Sequence, residues 1–275
     1  MTAFDRAVLL ALASLILLVV AGVGAGVQPP AVGLALSALL TALLFCVLAV
    51  GLASLRPGPP GATAQRLGLG PGRLPGWSVA LLCLGAVALS NAIEVLIHLL
   101  RVQDVGTLRA IDEALQGARG RRLGFAVFAI AFAAAVGEEL FFRGWLQRAL
   151  ERRLPRALGG PLLAIVLASV LFGLAHWDRV HGPAAFALGL YLGAAAWLSG
   201  GVRAPIACHV VNNLAAVGDS ALGLRLPAPA PLVLAGGGAT AAAALLVAWR
   251  LRGTRGEAPA PGDSAEGRPP SPPEP

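Results

Sequence analysis

Three short stretches of the chain set ionisable or amide side chains inside sequence that is otherwise hydrocarbon. "AVGEELFFRGW", Ala135 to Trp145, holds Glu138, Glu139 and Arg143. "LFGLAHW" holds Phe172 and His176, and "CHVVNN" holds His209 and Asn213 four residues apart, on one face of a helix. A charge at mid-bilayer costs several kcal/mol even by the lower scales, so groups of this kind in apolar segments are functional candidates by default. A buried carboxylate can act as a base near neutral pH, and imidazole and amide N–H groups in low dielectric can stabilise a developing oxyanion.

Structural readings stand beside the chemical one. Glu139 and Arg143 form an i, i+4 pair in the favoured orientation, as a neutralised pair holding a helix together would. That leaves Glu138 without a partner on its own helix, and a lone buried carboxylate protonates unless something holds its charge or uses its proton. A further set in "NAIEVLIH", Asn91, Glu94 and His98, shares a face and reads as interhelical hydrogen bonding or a lining near the rim. His181 reads as a solvated loop residue. Cys46, Cys83 and Cys208 are scattered, with no spacing for a disulfide framework or a thiolate metal site. Cys208 adjoins His209, but neighbours on a helix point about 100° apart, a poor arrangement for a nucleophile and its base.

The elements that must position these groups are membrane helices. Of 275 residues 57% are hydrophobic and only 13% charged, with a mean hydropathy of +0.76, far from a soluble domain. The formal charge of +7 comes from arginines set mostly in short loops, which suits membrane topology and not nucleic-acid binding. Eight segments approach the roughly 20 apolar residues that a span needs: Ala7 to Val27, Ala31 to Leu55, Trp77 to Leu100, Leu123 to Leu150, Pro161 to Trp177, Pro183 to Leu198, Pro205 to Leu222 and Pro231 to Trp249. The expected fold is all-α and polytopic, with about eight transmembrane helices. With the N-terminus inside, thirteen arginines fall on the cytoplasmic side and seven on the other, Arg143 being within the membrane. Both termini are therefore expected in the cytoplasm. Arg101 to Arg122, on the outer side, is the exception and reads as an interfacial helix. The chain divides into 1–122, a core at 123–250, and a Pro-, Gly- and Glu-rich tail at 251–275 that is expected to be disordered.

Depth decides whether the clusters can meet. Counted from the cytoplasmic ends of their spans, Glu138 and His176 lie ~18 Å and ~22 Å deep at 1.5 Å per residue. His209 comes out at only ~6 Å, so its helix must begin deeper than Pro205 suggests, or tilt.

The three motifs together resemble the CPBP family of intramembrane proteases (CAAX proteases and bacteriocin-processing enzymes, also called Abi proteins), which is similar to the Ras-converting CAAX endopeptidase. Glu-Glu-x-x-x-Arg is Glu138, Glu139 and Arg143; Phe-x-x-x-His is Phe172 and His176; His-x-x-x-Asn is His209 and Asn213. They occur in family order on separate apolar segments, and the likeness covers about Leu123 to Leu222. The resemblance implies an intramembrane endopeptidase acting on a membrane-associated peptide or protein. In it Glu138, oriented with His176, activates water, His209 and Asn213 form the oxyanion hole, and Glu139 with Arg143 positions the helix. It implies no cofactor. The alternative is zinc held by Glu138, His176 and His209, although no His-Glu-x-x-His run is present. A non-enzymatic transporter or scaffold is the remaining reading, and the polar groups' concentration in the second half of the chain favours a single site over paired repeats. The all-arginine basic content points to a bacterial inner membrane, with the lipid bilayer as partner and no nucleic acid.

Overall fold

The computed structural model describes residues 30–55, 57–103, 105–223 and 229–252, and among them every regular element is helical. In chain order these are α1 (Pro30–Ser54), α2 (Ala62–Arg66), α3 (Gly76–Leu99), α4 (Thr107–Leu115), α5 (Gly120–Glu151), α6 (Gly160–Leu174), α7 (His181–Ser199), α8 (Arg203–Leu222) and α9 (Ala230–Leu251). The all-α membrane fold expected from composition is the fold observed.

Five of these helices are long and apolar enough to cross a membrane: Val32–Ser54, Gly76–Leu99, Gly120–Glu151, His181–Ser199 and Ala230–Leu251. The eight-span count is therefore not reached among the described residues. The segment Ala7 to Val27 and the tail beyond Arg252 lie outside them. α6 has only 15 residues, about 22 Å of helix against a hydrocarbon core of ~30 Å. It stops short of Trp177, which sits in the left-handed region at φ 51°. α8 is 20 residues long but carries Arg203, His209, Asn212, Asn213 and Asp219, too polar for a simple span.

Polarity is inverted relative to a protein in water. Leu43, Leu84, Phe128, Phe132, Leu162, Leu174 and Leu232 are exposed, whereas Glu139, Arg143 and Gln147 are almost completely buried. Apolar surface on this scale suits lipid. Without a hydrophobic drive between helices, close approach of small residues holds such a bundle together. α9 crosses α3 at Gly237, where a Cβ would strike the Ala88 carbonyl and Ala92. α1 crosses α5 at Gly137, where a Cβ would lie 2.6 Å from the Ala42 carbonyl oxygen. That second crossing lays α1 beside the adjacent carboxylates.

Two features of the backbone position the polar groups. α5 is not uniformly α-helical: Val127–Ala134 and Leu140–Gln147 are π-helical and bracket the α-helical segment Ala135–Glu139. Wide turns of this kind recur at functional sites, and the sequence pattern carried no sign of them. The turn between α7 and α8 is also sunk below the surface. Ser199 and Val202 are buried, and the segment after α2 covers them through Arg73 N–H to Ser199 O (2.8 Å) and Val202 N–H to Gly68 O (3.0 Å). α8 thus starts deep, which removes the depth mismatch that its sequence position implied for His209.

The segment Arg101 to Arg122 contains the amphipathic helix α4. Its Leu115 is buried against Ala126 and Ala131 of α5 and Val217 of α8, and its opposite face is exposed.

The antiparallel order of α5, α6 and α7 puts the exposed residues Arg153 and Arg179 at opposite ends of α6. Single cysteines introduced at these positions, with Cys46, Cys83 and Cys208 replaced, are expected to label from opposite sides of sealed vesicles. Labelling of both from one side would contradict the topology.

Candidate active site

Glu139 is the centre of the polar cluster. Its Oε1 accepts from Arg143 Nη1 at 2.8 Å and from His209 Nδ1 at 2.9 Å, with all three residues buried. The ion pair expected from the i, i+4 spacing is present, and it has a third member from α8. Arg143 is held on two further sides. Its Nη2 donates to the Gly189 carbonyl of α7 (3.1 Å), and its guanidinium lies 4.3 Å from the centre of the Phe172 ring of α6. One residue on α5 thereby ties down α7 and α6, and Glu139 ties down α8.

A second rung lies one turn further on. Gln147 Nε2 donates to the Gly193 carbonyl (3.1 Å) and to Glu151 (3.0 Å). Arg143 and Gln147 are four apart on α5, and Gly189 and Gly193 are four apart on α7, so side chains of one helix meet carbonyls of the other in register. A Cβ at Gly189 would lie 3.1 Å from Arg143 Nη2, and one at Gly193 would lie 3.0 Å from Gln147 Oε1. Gln147 and the two glycines escaped the sequence reading. Their matched four-residue spacings were the available signal.

Glu138 differs from its neighbour. Its side chain keeps 14% exposure, and its Oε2 lies 3.8 Å from His209 Nε2. Because His209 Nδ1 faces a carboxylate, that nitrogen carries the proton. Nε2 and Glu138 are then two acceptors in close approach, and they repel unless one proton lies between them.

His176 stands at the end of α6 beside the same aromatic wall. Its Nδ1 donates to the Phe172 carbonyl (2.9 Å), an acceptor only, so Nε2 of the neutral ring is free to accept. The Phe172 ring meets the His176 ring edge-on at 5.0 Å and the His209 ring at 5.9 Å. Among the described residues no hydrogen bond or ion pair joins His176 to Glu138. Its nearest ring partner is instead His181, at 4.3 Å. His181 is therefore not a solvated loop residue: it begins α7, and its Nδ1 lies 3.2 Å from Thr107 Oγ1. Asp178 in the intervening loop accepts from the backbone N–H groups of Thr107, Val180 and His181. Burial, the largest single influence, pushes its carboxyl up, and those three bonds together hold it below the usual carboxylate range.

Asn213 lies on the α5-facing side of α8 with His209, as the four-residue spacing requires. Its Nδ2 donates to the Ile130 carbonyl in the first π-helical stretch (3.2 Å), and its Oδ1 is 3.4 Å from Asn212 Nδ2. The remaining sequence candidates lie apart. His98 turns its Nδ1 to the Glu94 carbonyl (2.9 Å) on the exposed side of α3, where Asn91 is also exposed. Cys208 faces Cys83 across α3 (3.8 Å), away from the His209 contacts.

The fold and site define a helical membrane protein with a buried carboxylate–imidazole centre. Residues 121–215 match the family model described as "Rce1-like: Type II CAAX prenyl endopeptidase Rce1-like". The match contains Glu138, Glu139, Arg143, His176, His209 and Asn213. No curated protein and no solved structure matches the chain.

Glu139 and Arg143 should behave as one unit. Glu139→Gln or Arg143→Met alone strands a buried charge and is expected to cost about 3–5 kcal/mol, lowering protein abundance. The double variant should recover part of that loss. Additive losses in the double-mutant cycle, read by thermal unfolding in detergent, would show that the contact carries no coupling.

Proposed function

We propose that the chain is an intramembrane endopeptidase that hydrolyses a peptide bond of a membrane-associated peptide or protein, and that Glu138 is its general base. The observation that carries this reading is the division between adjacent carboxylates: Glu139 is fully buried with its Oε1 bound by both Arg143 and His209, whereas Glu138 is partly open and has no hydrogen-bond partner among the described residues. Water attacks the scissile carbonyl carbon as Glu138 takes its proton, with His176 Nε2 as second acceptor. The oxyanion of the tetrahedral intermediate accepts hydrogen bonds from His209 Nε2–H and from the second amide N–H of Asn213, and neither proton is transferred. Collapse breaks the C–N bond, and the proton taken from water passes to the leaving amine. A low-dielectric setting strengthens the oxyanion contacts and keeps bulk water from competing.

The donor arrangement favours this over a zinc site. Among the described residues no three His, Cys, Asp or Glu side chains converge as metal ligands. His209 Nδ1 and Glu139 are spent on one another, and His176 is packed against Phe172 and His181. A bacterial inner membrane with both termini in the cytoplasm remains the setting that the composition supports.

Glu138→Gln keeps the shape and removes the base. This variant is expected to accumulate like the parent and to cleave no peptide. Asn213→Ala should lose about 10²–10³ in turnover. His209→Ala should lose as much and also unfold more readily, because it takes a donor from Glu139. Activity of the purified enzyme in lipid should survive prolonged chelation. Loss on chelation with recovery on added zinc would replace the glutamate mechanism with a metal one.

A further inference from the structure

His176 carries a catalytic role in the reading above, and its own helix holds the ring on one side only, through the Phe172 carbonyl (2.9 Å) and the Phe172 ring. α6 ends at Leu174, the backbone bonds tighten to short-turn contacts from His176 onward (His176 N–H to Gly173 O, Trp177 N–H to Leu174 O), and Trp177 leaves the helical region altogether. A ring at such a terminus swings unless neighbours fix it. Phe172 supplies one wall, from the same helix. The other is His181 of α7, and three observations link it outward to α4.

His181 meets Thr107 Oγ1 at 3.2 Å, and Thr107 is the first residue of α4. The backbone of Thr107 is bound to Asp178 (2.8 Å), and Asp178 also accepts from His181 N–H (2.6 Å) and Val180 N–H (2.8 Å). One carboxylate thus pins the start of α4 and the start of α7 together. Finally, Gly106 has φ 87°, and a Cβ on it would collide with the Asp178 carboxylate, so the approach is built for a glycine. The other end of α4 rests on α5 and α8 through Leu115. The helix therefore runs from the His176 end of the bundle to the two helices that bear the carboxylates and His209.

We propose that His181, Thr107 and Asp178 are positioning residues that fix the His176 ring and tether it to the amphipathic helix α4. The proposal rests on the endopeptidase reading for the importance of His176, not for the geometry. The chain of contacts runs from Asp178 to the α4 start, from Thr107 to His181, and from ring to ring into His176. Without it His176 keeps its place in the fold but not one orientation.

The chain has only four histidines, so ring-¹⁵N-labelled full-length protein in lipid nanodiscs gives a spectrum that single variants can assign. Wild-type His176 should show one tautomer, with the proton on Nδ1. Thr107→Val and His181→Ala should convert it to a broadened or mixed signal, while the unfolding temperature moves by no more than about 4 °C. Thr107→Ser, which keeps the hydroxyl, should restore the wild-type pattern. Turnover in Thr107→Val should fall by up to about 10²-fold with KM unchanged, as for a small misplacement of a reacting group. An unchanged His176 signal in Thr107→Val, or a Thr107→Ser variant as disordered as the valine one, overturns the proposal, as does altered KM with unaltered kcat. Absence of any peptidase activity in the wild type overturns the endopeptidase reading instead, and the spectral test still decides whether His181 holds His176.

Discussion

An ion pair in hydrocarbon must be complete, because either half alone is an uncompensated charge. That constraint organises the protein around Glu139. One oxygen of its carboxylate is shared between Arg143 and His209, and Arg143 is also held by the Gly189 carbonyl and the Phe172 face. Four helices, α5, α6, α7 and α8, contribute to this cluster, so the contacts around a single buried ion pair link their positions. A buried pair of this kind contributes little net stability compared with apolar side chains, but removing one partner is costly. The network thus penalises arrangements other than the observed one more than it deepens the native state.

The backbone yields where the network needs it to. Gly189 and Gly193 leave room for Arg143 and Gln147 to reach carbonyls of a neighbouring helix, and Gly137 lets α1 press against α5 one residue before the carboxylates. The sunken turn before α8 brings His209 to the level of Glu139. With Glu139 held in this way, its neighbour is presented on the same helix but one position round, without a hydrogen-bond partner among the described residues. Rigid support next to an open functional group is the arrangement that a preorganised site requires.

Much of this was legible in the sequence, for reasons that differ by residue. Charges in apolar runs stand out because lipid makes them expensive, so Glu138, Glu139, Arg143, His176, His209 and Asn213 announced themselves, and the spacing of Glu139 and Arg143 announced their pairing. The helical fold followed from composition. Contacts made across helices were not legible. Nothing local says that Glu139 is completed by α8, that His176 leans on His181, or that Thr107 and Asp178 join α4 to α7. Apolar length marked α6 and α8 as spans, whereas in the structure α6 is short at 15 residues and α8 carries buried polar groups that pack against α5. The π-helical turns of α5 are likewise set by packing rather than by residue propensity.

The central claim is that adjacent carboxylates divide their tasks, Glu139 holding the fold and Glu138 facing the reacting carbonyl. An experimental structure of the Glu138→Gln variant with an uncleaved membrane peptide bound would test it most directly. The account predicts a scissile carbonyl carbon with space for one water between it and the substituted amide, its oxygen directed at His209 Nε2, and Glu139 still shared between Arg143 and His209. A peptide carbonyl seated against Glu139, or a Glu139 that leaves Arg143 to meet the substrate, would contradict it.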